Sequence, residues 1–485
     1  MQQSRLIEQL RHLTPGDFRR FLLFVESPYF NQNPRLLRLA QYLQQAAPDF
    51  PASLLDKAAL YQAAQGTSAG FSEQAVHDLF AQLLRLLEGF LAQQSYEQDE
   101  PGRLRHLLNA LQARQALGHF VRIQRKAQTA IAEPVQTERD FYHQFEVNKL
   151  AEWASGQRKT RRVQSALPKA LRHLDAFYLA ARLRLSCELI NRRNVINAEG
   201  EVELSEHLLA LLRNDPQGYR ALPAVAVYYQ IYQTLTEPEQ EAHYATLVSL
   251  LAEHASHFPR SEAYQMYAYA QNYCIRRIND GNPRFLQELF ALYQQLLSTE
   301  ILLDGGVLAH EHYKNITTVG LRLQQFDWVR DFLAQYKARL HPDYRDNAYT
   351  YNLAAYHYEQ QQFREAMKLL NQVEFTDVFY HLSAKSMLLK IYYELKDEEA
   401  LRYHIQAFRA FLKRQQLPRY HLQTHHNLLR LLKKAFQLWK RRDHLEVEEF
   451  EARLRDLHAQ IDAAQGISNV AWLRAKVAEL AQGRA

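Results

Sequence analysis

Three histidines near the C-terminal end are the residues whose type and spacing come closest to chemistry. His421 and His425 stand four apart, on one face of an expected helix, with His426 beside them. Zinc held by protein takes three or four ligands, and carboxylates are sparse around this cluster. The pattern therefore points to solvated or phosphate-facing imidazoles, and no metal is expected. His254 with His257, and His310 with His312, read the same way. A glycine-rich phosphate loop, H-E-x-x-H, G-x-S-x-G and paired C-x-x-C are all absent. No catalytic residue and no cofactor are expected, and the chain is not read as an enzyme. The only cysteines, Cys187 and Cys274, lie in apolar helical stretches and read as core thiols of a reducing, cytoplasmic protein.

Charge is more informative. From Ala400 to Arg442 no Asp or Glu occurs, against eleven Lys and Arg. Arg402, Arg409 and Lys413 fall on one helix face, and Arg430, Lys433, Lys434 and Arg441 on another. A second basic stretch, 158–172, holds Arg158, Lys159, Arg161, Arg162, Lys169 and Arg172. The total is only +6, so the remainder is net acidic and the charge is segregated. The 402–442 face suits an anionic partner, an acidic protein segment or nucleic-acid phosphates. Its bland alternative is a solvated surface balanced by Asp443, Glu446, Glu448 and Glu449.

The elements that carry these residues are helices. Gly and Pro number 15 each in 485 residues, below their usual shares of about 7% and 5%, whereas sheets with many tight turns need both. The composition predicts an all-α chain. The longest apolar run, Ala224 to Tyr229, is far short of the roughly 20 residues that span a bilayer, so no membrane association is expected.

Residues 1–98 read as a small N-terminal helical module, with helices over 4–13, 15–26, 54–64 and 72–95. Between the second and third lies ESPYFNQNPRLLRLAQYL, where Pro28 breaks a helix, Asn33 caps the next and Pro34 fits its first turn. Tyr29 and Phe30 fall in that elbow and are expected to pin the two helices together. The elbow resembles a Ser-Pro-Tyr-Phe-Asn stretch in a group of uncharacterised bacterial helical-repeat proteins. The acidic EQDEPG at 97–102 reads as a linker. Helices over 103–116, 119–131 and 136–156 follow, then pairs at 171–193 and 202–213, 222–235 and 237–256, and 262–279 and 283–299. These make 103–300 a set of degenerate hairpins, and Gly305 with Gly306 marks the next break.

In 307–485 the repeats become legible. Val329, Ala366 and Ala400 stand 37 and 34 residues apart, each early in the second helix of a pair. Ile316-Thr317, Leu353-Ala354 and Met387-Leu388 lie in the first helices; Phe326 and Phe363 precede the markers by three, and Leu333 and Leu370 follow by four. This set resembles the tetratricopeptide repeat (TPR), a 34-residue helix-turn-helix unit. It is matched best over 310–341 and 347–378 and less well over 381–412. A drifted pair at 420–438 and 443–460 and a capping helix at 468–482 complete the series. The resemblance implies a right-handed α-solenoid of TPR-like hairpins, each leaning on its neighbour.

It also implies a groove lined by the first helices, where Lys314, Asn315, Arg322, Tyr351, Asn352, Tyr358, Lys385, Tyr392 and Tyr393 would meet a peptide or protein segment. Thr318, Ala355 and Leu389 stand where carboxylate-gripping versions carry a further Asn. The expected function is a non-catalytic scaffold or adaptor for a protein partner on the concave face. The alternative is a nucleic-acid-associated or regulatory protein using the two basic stretches.

Overall fold

A computed structural model describes the chain apart from residues 66–70, 132–136, 158–165, 197–205, 215–217, 373–377, 416–418, 465 and 483–485, and apart from the side chains at 194–196, 206–207, 379 and 421. The described residues form twenty-three α-helices, five short 3-10 helices and one two-stranded hairpin, joined by turns and short loops. No described helix is long and apolar enough to cross a membrane. The chain divides into two compact units, Met1–Phe258 and Pro259–Ala485.

The first unit begins with α1 (Arg5–Leu10), α2 (Pro15–Glu26), α3 (Pro34–Ala46), α4 (Lys57–Gln65) and α5 (Glu73–Gln98). Side-chain caps set several of these starts. Thr14 Oγ1 accepts from the Asp17 N–H, Asn33 Oδ1 from the Arg35 N–H and Ser72 Oγ from the Ala75 N–H, each satisfying a donor that a helix start leaves open. Phe21, Leu39, Leu83 and Leu87 lie in the core that joins them. The elbow between α2 and α3 is held differently from the expectation. Tyr29 is 87% exposed, and Phe30 stacks on Phe24 at the surface. The corner is tied by Asn31, whose Nδ2 donates to the carbonyls of Val25 (2.8 Å) and Asn33 (3.1 Å) while its Oδ1 accepts from the Asn33 N–H.

In the stretch read as a linker, α5 is followed after one residue by α6 (Glu100–Ala113). That residue, Asp99, caps α6 by accepting from the Gly102 N–H and meets Arg139 at 2.8 Å. Then come α7 (Leu117–Thr129), α8 (Glu138–Gln157), α9 (Leu167–Ile196), α10 (Glu206–Asn214), α11 (Pro223–Thr236) and α12 (Glu241–His254). Helices pack mainly on chain neighbours: α6 on α7, α8 on α9, α11 on α12. Cys187 is a free, buried thiol on α9.

The second unit opens with α13 (Arg260–Asn279), which carries the buried Cys274, not in a disulfide, and α14 (Phe285–Ser298). A short hairpin follows, β1 (Leu303–Asp304) paired antiparallel with β2 (Val307–Leu308). Gly305 and Gly306 both have positive φ there, as a two-residue hairpin turn requires. Next are α15 (His310–Arg322), α16 (Phe326–Tyr336), α17 (Pro342–Glu359), α18 (Phe363–Leu370), α19 (Val378–Glu394), α20 (Glu398–Arg414), α21 (Arg419–Arg441), α22 (Val447–Ala463) and α23 (Val470–Gln482). Each of α15, α17 and α19 packs on the helix that follows it, and α17 also packs on both α15 and α19.

The sequence markers sit where these pairs close. Val329 and Ala366 are fully buried, as are Ile316, Thr317 and Ala354. A Cβ placed on Gly320 would come within 2.6 Å of Val329 Cγ2, so α15 and α16 meet where one side chain is missing. The turns share one construction. Gln324, Gln361 and Lys396 each have φ near +60°. In each turn the next N–H reaches back to a carbonyl in the preceding helix: Gln325 to Gly320, Gln362 to His357 and Asp397 to Tyr392. That is the Schellman helix end, built without glycine.

Candidate functional site

The helix faces that look away from these pair interfaces converge in the second unit. Lys314, Thr318 and Arg322 follow one another at four-residue spacing on α15; Tyr351, Ala355 and Glu359 do so on α17; Ser383, Met387 and Lys390 do so, within a residue, on α19. Together they line a cavity of about 370 Å³, to which His425 of α21 and Ser468 and Asn469 before α23 also contribute.

Its electrostatics follow from recession into protein. Lys314 Nζ donates to Ser383 Oγ at 2.6 Å and stands 5.4 Å and 5.0 Å from the ring centres of Tyr351 and Tyr380. Lys390 Nζ lies between two more rings, Tyr358 at 5.5 Å and Trp472 at 5.8 Å, an arrangement in which the π-faces attract the ammonium. Burial lowers the Lys390 pKa, against the opposing pull of Glu359 and Glu394. Solvent touches Glu359, yet it sits among protein atoms in the concavity. That desolvation raises its pKa, with Lys390 and then Arg322 opposing. Burial also pushes the Tyr351 phenol up to about 12. Ser386, 3% exposed, lines the same cavity, and its Oγ has no hydrogen-bond partner among the described residues.

Of the nine residues expected in a groove, Lys314, Arg322, Tyr351 and Tyr358 come together here. Asn315 is exposed on α15. Asn352 is 1% exposed and its Nδ2 donates to the Ala348 carbonyl one turn back, so its amide faces the hairpin interior. Lys385, Tyr392 and Tyr393 pack elsewhere. Lys385 Nζ lies over the Phe411 ring, Tyr392 meets His404, and Tyr393 is buried against Phe436 and Trp472. The sequence reading missed Lys390, Glu359, Ser383 and Ser386. Their signal was the four-residue spacing along each helix; a step of 34 from Tyr351 lands on Lys385, two residues past the cavity-facing Ser383.

Neither a known protein family nor a curated protein sequence matches the chain.

The basic face takes a different form. Arg402, Arg409 and Lys433 line a cleft between α20 and α21, and Lys434 and Arg441 line a second with Arg453 and Asp456 of α22. Arg430 and Lys434 donate to Gln460 Oε1, and Arg402 stacks on Tyr403. Among the described residues none of Arg402, Arg409, Lys413, Arg430, Lys433, Lys434 and Arg441 has a carboxylate within ion-pairing distance. The acids expected to balance them are engaged elsewhere where they pair at all: Asp443 with Arg442 and Glu449 with Arg453. In the other basic stretch Lys169 and Arg172 are exposed on α9, and Arg158, Lys159, Arg161 and Arg162 lie outside the described residues.

Among the described residues no group of three or more His, Cys, Asp or Glu could hold a metal ion. His425 packs on Phe408, and the side chain of His421 lies outside the described residues. His257 is exposed, whereas His310 and His312 are packed more closely than solvated rings. His310 stacks on Tyr344 at 4.5 Å, and His312 shares a 2.8 Å hydrogen bond with the Tyr264 hydroxyl.

Proposed function

We propose that this chain is a non-catalytic scaffold or adaptor of a reducing, cytoplasmic compartment. Its helix pairs form a right-handed solenoid of TPR-like hairpins, and α15, α17 and α19 grip a segment of a partner protein. One observation supports this reading above the others: three successive first helices each turn polar or charged side chains into one cavity, and α17 adds the rings of Tyr351 and Tyr358. Small and apolar residues such as Gly320, Val329 and Ala366 seal the pairs behind it. Aromatic and cationic side chains on a wall of parallel helices suit an extended or helical peptide.

A photo-crosslinking residue at Thr318, which lines the cavity, tests the reading in the native cell. A discrete protein adduct is expected from that position, and none from Arg364, exposed on α18. Equal labelling from both positions, or adducts that vanish on nuclease treatment, would end the adaptor reading.

A second reading has its own support. Among the described residues, the cations along α20 and α21 that lack carboxylate partners suit the phosphates of a nucleic acid. Binding of duplex or single-stranded probes that falls steeply with salt, and is lost when Arg430, Lys433 and Lys434 are all changed to Glu, would favour this alternative.

A further inference from the structure

We propose that the cavity between α15, α17 and α19 is a receptor for a phosphate monoester dianion, held by Lys314, Arg322 and Lys390. This rests on the reading that the wall of first helices is the binding face. Four observations carry it. The cavity's formal charge comes from Lys314, Arg322 and Lys390 against the single carboxylate of Glu359; the surplus of two cations matches a phosphate monoester, which carries about −1.5 to −2 at neutral pH.

Two of these cations are also not spent on ion pairs within the protein. Among the described residues neither Lys390 nor Arg322 has a carboxylate within ion-pairing distance, although both lie close enough to Glu359 to act on its titration. Opposite charges are thus kept apart across an open space. Third, Ser386 Oγ is buried in the wall without a hydrogen-bond partner among the described residues, and Ser383 Oγ is 2.6 Å from Lys314 Nζ. A buried hydroxyl left unpaired is unfavourable, and a phosphoryl oxygen is the kind of acceptor that would satisfy it.

The fourth is size. A cavity of about 370 Å³ is in the range of small-ligand sites and leaves room for the group that bears the phosphate. Tyr351 and Tyr358 would face that carrier. Arg forks and Lys ammonium groups are the usual partners of such oxygens, through charge-assisted hydrogen bonds.

Isothermal titration of the full chain at neutral pH with phenyl phosphate, and with phenylacetate as a monoanion of similar shape, tests the proposal. Phenyl phosphate is expected to bind at least about tenfold more tightly, since a second charge is met by a second cation. Lys390→Met and Arg322→Gln should each weaken it by about tenfold or more. Glu359→Gln should tighten it by removing the one opposing charge. That gain cannot come from a misfolded variant, so the proposal stays testable if a cation substitution unfolds the unit. Equal affinity for the two probes, indifference to Lys390→Met in a chain of native helicity, or weaker binding by Glu359→Gln would each overturn it.

The source of the phosphate is resolved by a phosphoserine heptapeptide of otherwise Gly and Ala. A further tenfold gain over phenyl phosphate assigns the site to a phosphorylated partner segment. No gain assigns it to a small phosphorylated molecule, so that the dianion site stands and the adaptor reading fails. A Thr318 adduct with no preference for the dianion sinks this inference and leaves the adaptor reading intact.

Discussion

Gly320→Ala probes the contact on which the first legible hairpin depends. The added Cβ would lie 2.6 Å from Val329 Cγ2, with Phe290 Cε2 at 3.5 Å and Trp328 Cε3 at 3.8 Å. Carbon atoms in good contact are about 3.5–4.0 Å apart, so α15 and α16 must separate by nearly an ångström or Val329 must leave its rotamer. Overpacking of this kind costs about 1–3 kcal/mol, and the better helix propensity of Ala offsets about 1 kcal/mol. A net loss of up to about 2 kcal/mol is expected, read by urea unfolding of the full chain through tryptophan fluorescence and far-UV circular dichroism. The partner variant gives the internal control. Val329→Ala should cost about 2 kcal/mol alone, from lost burial and the space left behind. In its background Gly320→Ala should be neutral or mildly stabilising, because the methyl that blocked it has gone. A double-mutant coupling of at least about 1 kcal/mol is the signature of direct contact. If Gly320→Ala stabilises the parent chain, or its penalty is unchanged when combined with Val329→Ala, the two helices do not meet there and the packing argument falls.

Gln361, at φ +60°, should be improved by glycine. Gln361→Gly is expected to gain about 0.5–1 kcal/mol by relieving the left-handed conformation, and a lower unfolding midpoint would contradict the turn geometry. His404 predicts an acid-sensitive second unit. Burial pushes its pKa from 6.5 down to about 4, although Nε2 is held 2.7 Å from the Lys385 carbonyl. A folded pKa below the unfolded one means the unfolded chain binds more protons between these values. Stability is therefore fully present above pH 6.5 and falls by about 1–3 kcal/mol toward a pH of about 4. His404→Gln should flatten that slope in a pH series of thermal unfolding, and an unchanged slope would acquit the residue. In the first unit, Asp99→Ala should cost about 1–2 kcal/mol through loss of the α6 cap. Burial works to raise the Asp99 pKa, but the Gly102 N–H and then Arg139 bring it below 3.8. The parent's advantage over the variant should persist above that value and fade as the pH drops through the lowered one.

How much of this was legible from sequence depends on how local the cause is. Helix starts were, because Asn33 with Pro34 acts within one turn; the actual helix begins at Pro34 as read. The buried markers Val329 and Ala366 were legible because their spacing repeats, and the basic α20–α21 face because no acid interrupts it. The turns were less so. A left-handed residue is expected to be Gly, and here Gln324, Gln361 and Lys396 take its place, with tertiary packing overriding local preference. The cavity was half visible. Lys314, Arg322, Tyr351 and Tyr358 reach the cavity while Asn315 and Asn352 on the same helices do not, and α19 presents Ser383 and Lys390 and turns Lys385 toward Phe411. Asn352 shows the limit of reasoning by residue type: its amide finds the Ala348 carbonyl within its own helix, and no pattern in the sequence distinguishes that acceptor from a ligand.

The indole of Trp472 couples two places that the chain keeps far apart. It belongs to α23, yet its Nε1 donates to Glu394 of α19 at 3.1 Å, beside the 2.9 Å pair of Lys476 with the same carboxylate, and its ring flanks Lys390. Peeling the last helix away would uncage that ammonium, rehydrate it and remove one of the two rings that flank it beside the cavity. A fusion, a clip or a binding protein acting only on α23 would thus work as a dial on occupancy far upstream in the chain, with no need to touch the ligand.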